Sequence, residues 1–160
     1  MQNLKIRKAT KEDIELLINL RIDYLTSDGM IPSPEDAQKN IEILRDYFSR
    51  HIDGGDFIAE LAEVDGKIAA VAFIVIYERP INPSYMASGI TAVIYNVLTY
   101  PKYRRQGIAT KLLSLLIEEA KKLKVDFIEL SASAMGKPVY EKLGFKEKTQ
   151  SKFTEMKLNL

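Results

Sequence analysis

Apolar positions along this chain follow two rhythms, and the switches between them mark its elements. Leu4, Ile6 and Lys8 alternate with charged partners as a short strand does, and Thr10-Lys11-Glu12-Asp13 then reads as the cap of a helix. Ile14, Leu17, Ile18, Arg21, Ile22 and Leu25 recur at helical spacing until Asp28-Gly29 ends the pattern. Pro32 and Pro34 open a second helical stretch, with Ala37, Ile41, Leu44, Tyr47 and Phe48 on one side, running to about His51 before Gly54-Gly55 breaks it. The period then falls to two. Phe57 to Val64 and Lys67 to Tyr77 are β-branched and apolar, and Asp65-Gly66 between them is the two-residue signal of a tight hairpin.

Glu78 to Gly89, with Pro80, Asn82, Pro83 and Ser84, reads as a loop long enough to be a binding element. Ile90 to Tyr100 returns to strand composition and stops at Pro101. Ile108, Leu112, Leu115, Leu116, Ala120 and Leu123 mark a helix with a wide apolar face. Asp126 to Ala132 reads as a strand and Lys137 to Leu143 as a short helix ended by Gly144. Phe145 onward alternates weakly into a terminal strand or hairpin reaching Leu158. This order predicts an α/β sandwich on a mixed sheet.

Composition narrows what such a fold does. The 160 residues fit one domain spanning 1–160, with a balance of apolar and charged residues that suits a globular chain. Lysine plus arginine (23) nearly cancels aspartate plus glutamate (22), so no global field exists to hold nucleic acid. The absence of cysteine excludes a disulfide framework, a thiolate metal site and a cysteine nucleophile, and no metal is expected. Met1 to Thr10 is polar without an apolar stretch behind it, and no run reaches the length of a membrane span, so neither membrane nor nucleic acid is an expected partner and the expected location is cytoplasmic.

The informative stretch is Val97 to Thr110, where a strand ends, a basic glycine-containing turn follows and an amphipathic helix begins. The first amides of a helix lack intrahelical acceptors and sit at the positive end of its dipole, so a phosphate placed there meets several donors. Gly107 and Ala109 let a ligand approach the backbone, and Arg104 and Arg105 add local charge. Taken alone, the hexamer reads as an ordinary helix start with solvent-facing arginines, and the flanking sequence changes that. The phosphate-loop signature is missing, because no lysine followed by serine or threonine succeeds the glycine.

Arg104-Arg105-Gln106-Gly107-Ile108-Ala109 resembles the R/Q-x-x-G-x-G/A acetyl-CoA loop of the GNAT N-acetyltransferase superfamily. Thr99-Tyr100-Pro101 before it and the leucine-rich helix after it match that pattern, and Tyr140 to Phe145 resembles the family's Y-E-K-x-G-F signature. The resemblance implies the acyl-CoA N-acyltransferase fold, a central mixed, mostly antiparallel twisted sheet flanked by helices, with acetyl-CoA as cofactor and a homodimer as a reasonable assembly. One departure stands out: Ser133 occupies the place where the family often has asparagine, although its hydroxyl can still donate a hydrogen bond.

Carried over residue by residue, the resemblance puts the pyrophosphate on amides of Arg105 to Thr110, including Gln106, Ile108 and Ala109. Arg104, Ser133, Gly136 and Tyr140 complete the cofactor set, with Leu98 between Val97 and Thr99. The pantetheine arm pairs like an added strand with Val97 and Thr99, the amide of Val97 or Leu98 faces the developing oxyanion, and Tyr140 is the general acid that protonates the leaving thiolate. A tyrosine in this setting is otherwise a structural residue. An amine acceptor is protonated near neutrality and needs a base. Glu78 and Tyr95 are candidates, and a water chain is the alternative. Tyr24 and Arg21 are placed to shape an acceptor pocket, whereas His51 reads as a surface residue.

The expected reaction is transfer of an acetyl group to the primary amine of a small or amino-acid-like acceptor. A protein N-terminus or lysine is the rival acceptor, and a CoA-binding sensor without turnover is the rival of another class.

Overall fold

The computed structural model describes residues 3–31 and 33–160; Pro32, expected to open the second helix with Pro34, lies outside them. Strand β1 (Leu4–Lys8) leads through a 3-10 turn (Lys11–Asp13) into α1 (Ile14–Ser27), and α2 (Pro34–His51) follows. The strands β2 (Phe57–Val64), β3 (Lys67–Glu78) and β4 (Ile90–Thr99) come next, then α3 (Ile108–Lys122), a two-residue β5 (Ile128–Glu129) and α4 (Lys137–Lys142).

Local chemistry explains the joints. The Asp13 carboxylate accepts the amide of Thr10 at 2.8 Å while Arg7 grips both its oxygens at 2.8 and 2.9 Å, fastening the start of α1 to β1. Ser33 Oγ accepts the amide of Asp36 at 3.2 Å, and Pro34 occupies the first turn of α2, where its missing N–H costs nothing. Between β2 and β3, Asp65 (φ 51°) and Gly66 (φ 76°) are both left-handed, the twist that a two-residue hairpin needs.

The sheet runs β1-β2-β3-β4-β5, antiparallel except for the parallel β4–β5 pair. Two cores lie on its two faces. Under α1 and α2, Leu17, Ile18, Leu20 and Phe48 meet Phe57, Leu61, Val71 and Phe73. Phe48, Phe57 and Phe73 form a ring triangle with centroids 5.1 to 5.8 Å apart. Under α3, Ile108, Leu112, Leu113 and Leu116 cover Ala70, Ala72, Ile74 and Ile94, and Tyr140 of α4 joins this side.

Two expectations need correction. The strand read over Asp126 to Ala132 shrinks to Ile128–Glu129, and no strand forms between Phe145 and Leu158. Past Gly144 the alternation has no neighbour against which to bury a face. Phe153, Met156, Leu158 and Leu160 stay exposed, and Lys148 instead reaches Glu129 at 2.6 Å. No helix among the described residues is long and apolar enough to cross a membrane.

Candidate active site

The site is built around an irregularity in β4. Val71 pairs with Leu98 and Phe73 with Tyr95, so Ala72 alone faces two residues, Asn96 and Val97. Asn96 adopts φ 54°, a left-handed conformation that asparagine tolerates better than most side chains. It is buried, and its Oδ1 accepts a hydrogen bond from Arg21 Nη1 at 3.2 Å. The bulge re-aims β4. Its ladder with β5 holds only Ala92 with Ile128 and Val93 with Glu129, so among the described residues Val97, Leu98 and Thr99 have β3 on one side and no strand on the other. An extended arm can pair with a strand edge of this kind.

The basic turn follows directly. Arg104 Nε donates to the carbonyl of Thr99 at 2.9 Å, which folds the turn back on the end of β4, and Gln106 Nε2 points at the carbonyl of Lys102 at 3.4 Å. Arg105 (φ 62°) and Gly107 (φ 74°) are both left-handed. No side chain caps α3, so the amides of Ile108, Ala109 and Thr110 lack intrahelical acceptors and sit at the positive end of its dipole. A Cβ built on Gly107 meets nothing within 4 Å. Glycine is therefore favoured here by its positive φ, and the space in front of the turn is open for an anion.

On the other side of the opening stands Tyr140, buried and edge-on to Phe145 at 6.0 Å. Ser133 Oγ accepts the amide of Gly136 at 3.1 Å, and a Cβ at Gly136 would lie 3.1 Å from Cε2 of Tyr140 and 3.3 Å from Ser133 Oγ. Gly136 thus makes room for the ring. Burial pushes the Tyr140 phenol up to about 12, with Tyr24 adding to the rise. The Tyr140 hydroxyl has no hydrogen-bond partner among the described residues.

Toward α1 and α2 the wall is aromatic. Arg21 lies 5.8 Å from the centroid of Tyr24 and within reach of Tyr47 and Tyr95, and the hydroxyls of Tyr95 and Tyr77 are 3.4 Å apart. Glu78 does not join them. Along β3, Phe73, Val75 and Tyr77 face α1 and α2, whereas Ile74, Ile76 and then Glu78 face the α3 side, where Glu78 is exposed. The 78–89 loop is held down: the Asp126 carboxylate accepts amides of Ala87, Ser88 and Gly89 at 2.9 to 3.1 Å. His51 is less free than the sequence implied. Its Nδ1 lies 2.7 Å from Asp56 and its ring packs on Tyr47 at 4.5 Å.

Asn96, Tyr47 and Tyr77 were not singled out by sequence reasoning. The one available signal for Asn96 was a lone asparagine in a strand of β-branched and apolar residues.

A bulged inner strand, a neighbour paired with it over only two residues and an uncapped helix behind a basic turn define an acyl-CoA N-acyltransferase fold. Residues 16–145 match the acetyltransferase (GNAT) family, and the chain belongs to that family. A predicted acetyltransferase from Clostridium acetobutylicum, solved with acetyl-CoA, is 31% identical over 97% of this chain and 96% of its own, with a TM-score of 0.84. A GCN5-related N-acetyltransferase from Ralstonia eutropha JMP134 shares the fold at 22% identity and a TM-score of 0.80, covering 96% of this chain and 99% of its own. Glucosamine-6-phosphate N-acetyltransferase from Arabidopsis thaliana shares it at 24% identity and 0.66, over 97% and 99%. The protein is therefore an acetyltransferase, and the family's donor, acetyl-CoA, is the cofactor expected from its sequence.

Proposed function

We propose that the chain transfers the acetyl group of acetyl-CoA to the primary amine of a small acceptor. The observation that carries this reading is the uncapped start of α3 behind two left-handed residues, which fits the pyrophosphate, set beside a strand edge without a partner, which fits the pantetheine arm. Bound acetyl-CoA would supply an acetyl thioester, whose C–S bond would break as the amine nitrogen forms the new C–N bond.

Amides of Arg105 to Thr110 hold the diphosphate, with Arg104 and Arg105 adding charge around it. The amide of Val97 or Leu98 donates to the oxygen on which charge develops, a contribution of about 3 kcal/mol where such a donor is fixed in place. Tyr140 donates its hydroxyl hydrogen bond to the departing sulfur. A phenol at about 12 holds its proton more tightly than a thiol near 8.5 does, so Tyr140 would stabilise the departing thiolate through this hydrogen bond and pass a proton to sulfur only as water re-protonates the phenol. Ser133 and Gly136 keep that ring in place. The proton released by the amine leaves through water and the Tyr24, Tyr77 and Tyr95 hydroxyls.

A small amine suits the aromatic wall and the loop pinned by Asp126. The first test is calorimetric titration of acetyl-CoA into wild type and Gly107→Glu. The variant places a carboxylate in the open space and forces a side chain into positive φ. Binding at least 100-fold weaker in a still-folded variant supports the site, and equal binding in the two proteins removes it.

A further inference from the structure

We propose that Arg21 is a subsite for a carboxylate on the acceptor, which makes the acceptor class amino acids and related amines bearing one carboxylate; this rests on the acetyl-transfer reading above. Arg7, Arg45, Arg50 and Arg79 each have a carboxylate oxygen within 4.0 Å. Arg104 and Arg105 have none, and they sit in the exposed turn where the diphosphate belongs. Arg21 has none either among the described residues, yet it is partly buried. Its polar contact is the neutral amide of Asn96, and its other neighbours are the phenols of Tyr24, Tyr47 and Tyr95. A desolvated cation without a counter-charge is costly to keep. Burial indeed lowers the Arg21 pKa from its ordinary value.

Position decides which ligand supplies the missing anion. Arg21 is bonded to the residue immediately before Val97, at the thioester end of the opening, whereas the uncapped amides begin at Ile108. The thioester end of acetyl-CoA is uncharged, so the anion there comes from the acceptor. One guanidinium among tyrosines balances one negative charge and offers the paired donors that match a planar carboxylate. A phosphate dianion would call for a second cation, and the two beside this wall, Arg79 at 6.0 Å from the Tyr77 ring centroid and Arg50 near Tyr47, are already paired with Glu129 and Asp46. The phenols can add hydrogen bonds to the same oxygens.

The test uses amino acids paired with their own amides, which keep the amine and lose the charge. Each pair is titrated into the CoA complex of wild type, Arg21→Gln and Arg21→Lys, with thiol release measured separately. The expected result is an acid form bound at least tenfold more tightly than its amide by wild type, with the preference abolished in R21Q and partly kept in R21K, the acid form losing at least tenfold more than the amide form in R21Q. Acid and amide forms bound alike by wild type, no binding of either, or an equal loss of both in R21Q each overturn the subsite. A panel of amino-sugar phosphates favoured over amino acids does so too. Preferential carboxylate binding without thiol release would keep the subsite and remove the transfer reading.

Discussion

The Tyr140 hydroxyl has no hydrogen-bond partner among the described residues, its ring sits in the space left by Gly136, and burial raises its pKa to about 12. Since the pKa is raised, the phenol remains protonated through the whole working range, and its charged form enters only as pH climbs toward 12. Tyr140→Phe is expected to lower kcat about 100-fold at every pH from 6 to 10, with acetyl-CoA affinity within twofold of wild type. A wild-type profile that falls between pH 8 and 10 while the variant's does not would contradict this role. Gly136→Ala drives a methyl to 3.1 Å from the same ring, so it should lower kcat severalfold while leaving the phenol in the protein. Steady-state kinetics on the pair separate loss of the hydroxyl from its displacement.

At the scale of elements, the bulge of β4 sets the geometry of everything around it. Asn96 holds φ 54° and ties β4 to α1 through Arg21. Asn96→Val puts a β-branched residue into that conformation and removes the hydrogen bond, for a loss of about 2 kcal/mol in chemical denaturation. Asn96→Gly keeps the conformation and should lose about half as much; equal losses would mean that the conformation is not what the position selects. This element also shows how far the sequence could be read. The Asp65-Gly66 hairpin is legible because its two residues alone determine its twist, and the start of α3 is legible because turn and helix adjoin. The bulge depends on which residue of β3 stands opposite, and the Arg21–Asn96 bond joins residues 75 apart, so neither leaves a local pattern. The face that Glu78 takes is not legible either, because composition marks a strand end without its face. The terminal strand was overread because weak alternation cannot reveal whether a neighbouring edge awaits it.

For the whole molecule, two cores share one sheet, and the strands between them are ordered as they occur in the chain. That order has a consequence in time. β2, β3 and β4 are consecutive antiparallel neighbours, so their contacts close short stretches of chain, whereas β1 reaches β2 only after α1 and α2 have been laid down. Short closures come first because each costs less chain entropy before contacts compensate it. Replacing Gly66 by alanine, at φ 76°, should therefore slow refolding in stopped-flow measurements. Replacing Ile6 by alanine should instead speed unfolding, and the reverse assignment would place the nucleus at β1. A nascent chain leaving its site of synthesis would thus hold β1 and both early helices unpaired until the meander behind them arrives, so the amino-terminal third is the stretch most exposed to proteases and chaperones during synthesis.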